Sequence, residues 1–230
     1  AVELMGRLPR VPTVVTPGNH DVPLYRLWER AFGPYRNWRA QVAAELDSVT
    51  RVPEGTFVAL NSSAPRRAIV NGRLGDRQLD FARRSFADAP SSGARVLVIH
   101  HHFVPTPDGT GGRPLPRAAE LVRAFEEMRV DFVLGGHVHR THVNTSLDVP
   151  SVGGLAGIPL IACGTTTSRR GRGPEKGLNS LNVVRVLPRE VEVHPHVLVP
   201  RGDRFEPREP ITMRRGFATE APLTTEKTGP

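Results

Sequence analysis

Short apolar runs alternate along the chain with segments of helical period, a pattern that predicts strands and helices taking turns. Strand-like runs fall at 12–16, 57–61, 67–70, 95–99 and 131–135, and again at 158–163, 181–187 and 190–199. Residues 24–32 and 37–47 have helical composition between the first two runs. Residues 76–89 set Leu79, Ala82 and Phe86 on one stripe after a Gly75-Asp76 start, and 117–129 set Ala118, Leu121, Val122, Phe125 and Met128 on another. Both stripes read as core. The Gly-, Pro- and Thr-rich stretch 102–114 is long enough to overhang a strand end. From Pro200 the chain turns polar, with further prolines at 207, 210, 222 and 230. This predicts one domain over 1–199 and an extended or disordered tail over 200–230.

Composition refines this picture in three places. A chain of 230 residues, 38% hydrophobic and 23% charged, reads as a soluble globular protein with a sizeable core. It has no apolar run of the roughly 18 residues that a membrane span needs. The lone Cys163 excludes an internal disulfide, agrees with a reducing, cytoplasmic setting, and sits in an apolar run as a packed thiol. The net charge of +8 is carried by arginine, with lysine only at 176 and 227. The arginines are dispersed and have few interleaved aromatics, so the charge reads as a surface-wide bias and nucleic acid is not the favoured partner, although a basic crevice would still favour a phosphorylated substrate. The loop Ser168-Arg169-Arg170-Gly171-Arg172-Gly173 reads as solvated, with contact to a substrate phosphate as the alternative.

The chemistry lies at three strand ends. Gly18-Asn19-His20-Asp21 follows the run 12–16, His100-His101-His102 follows 95–99, and Gly136-His137-Val138-His139 follows 131–135. Open α/β sheets bind ligands outside the carboxyl ends of their strands. Imidazoles and an amide oxygen gathered there suit a transition metal. Each block alone is an ordinary turn or surface cluster; the joint order is what points to a site.

These blocks resemble those of the calcineurin-like metallophosphoesterases over roughly residues 10 to 200. Within that family, Pro17-Gly18-Asn19-His20-Asp21-Val22-Pro23, Val98-Ile99-His100-His101 and the Gly75–Leu79 helix start look most like bacterial phosphodiesterases of the cyclic-nucleotide type. The resemblance implies an α/β fold, a β-sandwich flanked by helices in four layers, α/β/β/α, here lacking its first strands. It implies a hydrolase acting on phosphoesters through a metal-activated water. Two divalent ions (manganese, iron or zinc) are the expected cofactors, with Asn19, His100, His137 and His139 as ligands. His101 is the alternative to His100, and His20 is the general acid. Alternate residues of an extended chain point the same way, so His137 and His139 are expected to straddle the two ions.

The family's Asp-x-His and Gly-Asp-x-x-Asp blocks have no counterpart in residues 1–17. Those blocks carry most ligands of one ion, so an incomplete binuclear centre is expected, in a chain cut short at its amino end. The rival class is a non-catalytic scaffold or binding module of the same fold. A nuclease, favoured by the net charge, ranks below both.

Overall fold

The computed structural model describes residues 6–7, 11–66, 70–106, 108–109, 111–153, 156–168, 170–199 and 204–217. Four α-helices occur among these residues: α1 (Leu27–Phe32), α2 (Arg36–Gln41), α3 (Asp76–Ala87) and α4 (Ala118–Glu127). The strands are β1 (Ser48–Val52), β2 (Gly55–Leu60), β3 (Ala94–Ile99), β4 (Phe132–Gly135), β5 (His142–Thr145) and β6 (Pro159–Ala162). They continue with β7 (Ser180–Val186), β8 (Glu190–Leu198), β9 (Phe205–Pro207) and β10 (Ile211–Arg214).

The first six strands form one sheet in the order β1-β2-β3-β4-β6-β5. Its four central strands are parallel, and β1 and β5 close the edges antiparallel. Parallel neighbours bring their carboxyl ends to the same edge, so Asn61, His100, Gly136 and Cys163 follow side by side. The second sheet has the order β10-β8-β7, with β9 also on β8.

Strand alternation divides the core in two. On β3, Leu97 and Ile99 face one way with Val58, Leu60, Val133 and Leu160, and they meet Leu79, Ala82 and Phe86 of α3 and Leu121, Val122 and Phe125 of α4. Both helical stripes are therefore core. On the opposite face Ala94, Val96, Phe132 and Ile161 meet Val191 and Val193 of β8, which joins the sheets into a sandwich. A fully buried side chain such as Phe125 stabilises the fold by roughly 1.5–3 kcal/mol. No helix among the described residues is long and apolar enough to cross a membrane.

Several expectations change here. The run 12–16 forms no strand and joins no sheet; Thr16 donates its hydroxyl to the Leu60 carbonyl (3.1 Å), which holds the segment at the end of β2. Helical composition over 24–32 and 37–47 yields only the short α1 and α2, which end at Gly33 and Val42. Most of the run 67–70 lies outside the described residues. The boundary at residue 199 does not detach a free tail: β9 and β10 extend the second sheet, with Met213 packed between the layers. Pro207 and Pro210 are tolerated because they flank edge strands. Beyond β10, buried Arg215 pairs with Asp131 at 3.0 Å, and Gly216 N–H bonds the Asp131 carbonyl. Residues 218–230 lie outside the described residues.

Candidate metal centre

The site is assembled at the shared carboxyl edge of β2, β3 and β4. Asn19 opens a single 3-10 turn, Asn19–Asp21. Asp21 closes it by accepting the Gly18 N–H (2.8 Å), so this carboxylate is used in shaping the turn. Gly18 is required by proximity: a Cβ there would lie 2.7 Å from the His100 ring. The close approach lets Asn19 Oδ1 reach His100 Nε2 at 3.1 Å.

His100 Nε2 also lies 3.3 Å from His137 Nδ1. One imidazole nitrogen carries at most one proton, so it can donate to the amide oxygen or to the second ring but not fully to both. The ligand atoms of His100, His101 and His137 all lie within 4.8 Å of one another. His101 is 2% exposed, with Nδ1 2.7 Å from Ser62 Oγ, while its buried Nε2 has no hydrogen-bond partner among the described residues. Gly72, at φ 68°, leaves the room this ring needs. His102 stacks on His137 with centroids 5.4 Å apart.

Crowding sets the electrostatics. Burial first, then neighbouring imidazoles, pushes His100 down to about 3, His101 to about 2 and His137 to about 4. All three are neutral near pH 7 and offer lone pairs. His139 is also lowered, again chiefly by burial.

The geometry of the Gly-His-x-His block differs from expectation. His137 and His139 are both left-handed, at φ 68° and 56°, and Val138 N–H bonds back to the Gly136 carbonyl at 2.8 Å. A tight turn around buried Val138 therefore aims the two rings, rather than extended-chain alternation. Such backbone costs about 1–3 kcal/mol per residue and concentrates at functional sites.

The sequence-predicted residues fall into two groups. Asn19, His100, His101 and His137 converge. His20 and His139 form the outer wall, each bonded to Arg170: His20 Nε2 to the guanidinium at 3.1 Å, His139 Nδ1 to the carbonyl at 3.2 Å. A cleft of about 320 Å³ opens here, lined by Asn19, His20, His137, His139 and Arg172, with Gly111 and Gly112 of the 102–114 loop over it. No carboxylate lines this cleft among the described residues. The converged donors thus suit one ion, and a second, carboxylate-rich position is not formed by the described residues.

The residues missed in the sequence are Ser62 and Glu175; Arg170 and Arg172 belong to the loop for which phosphate contact is the alternative reading. Ser62 follows a strand end, so the rule that found the histidines also covers it. Arg170 and Arg172 lie in the loop read as solvated. Buried Glu175 pins that loop, accepting from Thr141 N–H (2.7 Å) and from the Ser180 hydroxyl, while Arg172 N–H bonds the His139 carbonyl. Cys163 is half-buried beyond β6, its thiol pushed up by burial.

Residues 1–141 match the model of the calcineurin-like phosphoesterases. Among solved structures, the chain is similar to GAP50, the anchor in the inner membrane complex of Plasmodium, at 12% identity and TM-score 0.42. It covers 74% of this chain and 53% of that one. It is also similar to wild-type Vps29 of Entamoeba histolytica complexed with zinc, at 14% identity and TM-score 0.33, over 88% of this chain and 94% of that one. No curated protein matches the sequence.

Proposed function

The chain belongs to the calcineurin-like phosphoesterase family, and from that premise we propose that its cleft hydrolyses a small phosphoester with a divalent cation. One observation carries this reading: neutral, lone-pair-bearing atoms of His100 and His137 crowd against the Asn19 carboxamide oxygen with too few protons to satisfy them all. That donor set fits a borderline-soft divalent ion such as manganese, iron or zinc. Asn19 Oδ1, His100 and His137 would hold it, with His101 Nε2 as the further imidazole. When bound, such an ion neutralises charge on a phosphoryl oxygen and lowers the pKa of a coordinated water toward about 7.

His139 is the remaining ligand candidate. Its Nδ1 donates to the Arg170 carbonyl, which leaves Nε2 unprotonated, the tautomer that ligating histidines keep. Arg172 supplies positive charge to the cleft wall, where a phosphate is held by bidentate hydrogen bonds. Ser62 fixes His101 through Nδ1.

His20 is the proposed acid toward the leaving oxygen. Arg170 can only donate, so His20 Nε2 accepts and the ring proton rests on Nδ1. A substrate phosphate competes for Arg170, which releases Nε2 to take up a proton and deliver it to the departing alkoxide.

A non-catalytic binding module is the second reading, favoured by the lack of a carboxylate among the described residues lining the cleft. Hydrolysis of an aryl phosphodiester with and without manganese, paired with calorimetric metal titration, separates the two. Metal uptake with turnover lost in His20→Ala supports the hydrolase. Neither uptake nor turnover overturns it in favour of the module.

A further inference from the structure

Helix α1 inverts the usual arrangement: none of its residues is buried. Tyr25 is 92% exposed, Trp28 80%, Phe32 78% and Leu27 63%. Trp28 and Phe32, one helical turn apart, stack nearly parallel with centroids 5.7 Å apart and so form a single rigid wedge. Exposed apolar residues occurring singly need no explanation, but four within eight positions do.

The surrounding charge is one-sided. Residues 24–39 contain Arg26, Arg30, Arg36 and Arg39 against Glu29 alone, so four positive charges less one negative leave +3. Glu29 is half-buried beneath Arg26 and Arg36, at 2.9 and 3.8 Å, and both arginines remain about three-quarters exposed. Beside the wedge runs a groove of about 450 Å³ lined by Pro34, Tyr35, Arg39, Leu46, Pro65 and Arg66, with no acid among its lining residues.

We propose that this face docks on an anionic membrane surface, with Trp28, Phe32, Leu27 and Tyr25 inserted at headgroup depth and the arginines on lipid phosphates. Tryptophan, tyrosine and arginine around an apolar tip are the residues that favour the bilayer interface. A narrow aromatic wedge ringed by arginines suits shallow insertion, where charge attraction to anionic lipid adds to apolar burial. The docking face continues into the cleft. Leu24 lines the cleft, and Arg30 holds the Leu24 carbonyl at 2.8 Å. The proposal does not depend on the catalytic reading, and its test uses no activity.

The two tryptophans make the test direct. Trp28 lies in the wedge and Trp38 is buried, so Trp38 serves as an internal control. The full chain is mixed with phosphatidylserine–phosphatidylcholine vesicles or with phosphatidylcholine alone. Binding is read by co-sedimentation and by quenching with brominated acyl chains. The expected result is co-sedimentation with the anionic vesicles only, weakened by salt, with quenching that disappears in Trp28→Phe. Removing two arginines (Arg26→Gln with Arg36→Gln) lowers partitioning roughly tenfold or more. Trp28→Ser with Phe32→Ser lowers it at least as far, with the circular dichroism spectrum unchanged. Absence of binding, binding indifferent to lipid charge, or binding that survives both double variants overturns the proposal. A concentration-dependent dimer abolished by Trp28→Ser with Phe32→Ser also overturns it, because the face then belongs to a second copy of the chain.

Discussion

The two walls of the cleft are built from the same residue types and behave in opposite ways. On the inner wall, His100, His101 and His137 are packed against strand ends, neutral, and aimed at one point. On the outer wall, His20 and His139 face Arg170 and Arg172, where cationic charge predominates. In the proposed chemistry, desolvation keeps the first group neutral and suits it to a cation, and the arginines suit the second to an anion. A phosphoester needs both, a cation on one side of its phosphate and proton and hydrogen-bond donors on the other, so the contrast between the walls is the basis of the proposed chemistry.

The largest expected effect breaks the inner wall alone. His100→Ala removes the atom shared by Asn19 and His137, and we expect metal affinity to fall by more than about 100-fold, beyond the 10–100-fold scale of outer-shell changes. Calorimetric titration with manganese checks this, and unchanged affinity would relocate the ion. On the outer wall, His20→Ala is expected to cost about 10²–10⁴ in turnover, the usual scale for a general acid, while metal affinity stays level. A comparable fall in affinity would erase the distinction between the walls.

Acid should act on the fold through the inner wall. The folded-state values near 3, 2 and 4 for His100, His101 and His137 lie below the ordinary 6.5. Below pH 6.5 the unfolded chain therefore binds protons that the folded chain refuses. Stability is fully present above pH 6.5 and falls as pH drops toward 4, by about 1.4 kcal/mol per pH unit for each such histidine. Urea titrations at pH 7, 6 and 5 measure the slope. A flat profile would mean that these rings are hydrated.

Smaller changes sharpen the picture. Ser62→Ala leaves His101 without its Nδ1 partner, and metal affinity is expected to fall roughly 10–100-fold. Arg170→Ala frees His20 Nε2 and withdraws one phosphate contact. KM is then expected to rise more than kcat falls. Equal loss in both parameters would reduce Arg170 to a loop-building residue.

Legibility in the sequence followed the range of the interactions involved. The three histidine-bearing blocks were readable because each follows a local event, a β-forming run that stops at a polar cluster. Strands β2, β3, β4, β6, β7 and β8 and helices α3 and α4 were readable from their own periodicity. Strands β1, β5, β9 and β10 were not, because such short edge strands carry too little periodicity of their own; β10 takes its hydrogen bonds from β8 well back in the chain, as Met213 does opposite Val191. The run 12–16 failed in the opposite sense: its composition favours a strand, and the Thr16 hydroxyl bonds the Leu60 carbonyl at the end of β2 in place of any sheet pairing.

What the sequence determined by itself was the inventory: an α/β order of elements, and imidazole and amide donors placed after β-forming runs. Tertiary structure decided the grouping. Parallel pairing of β2, β3 and β4 brought Ser62, His100 and His137 to one edge, and the loop pinned by Glu175 carried Arg170 across some 150 positions of chain to His20. Left-handed backbone at His137 and His139 aimed the rings of the last block. Residue types and local spacing are properties of the chain alone. Which lone pairs face one another, and which lose their water, depends on strand register and burial, and both exist only once distant segments have packed.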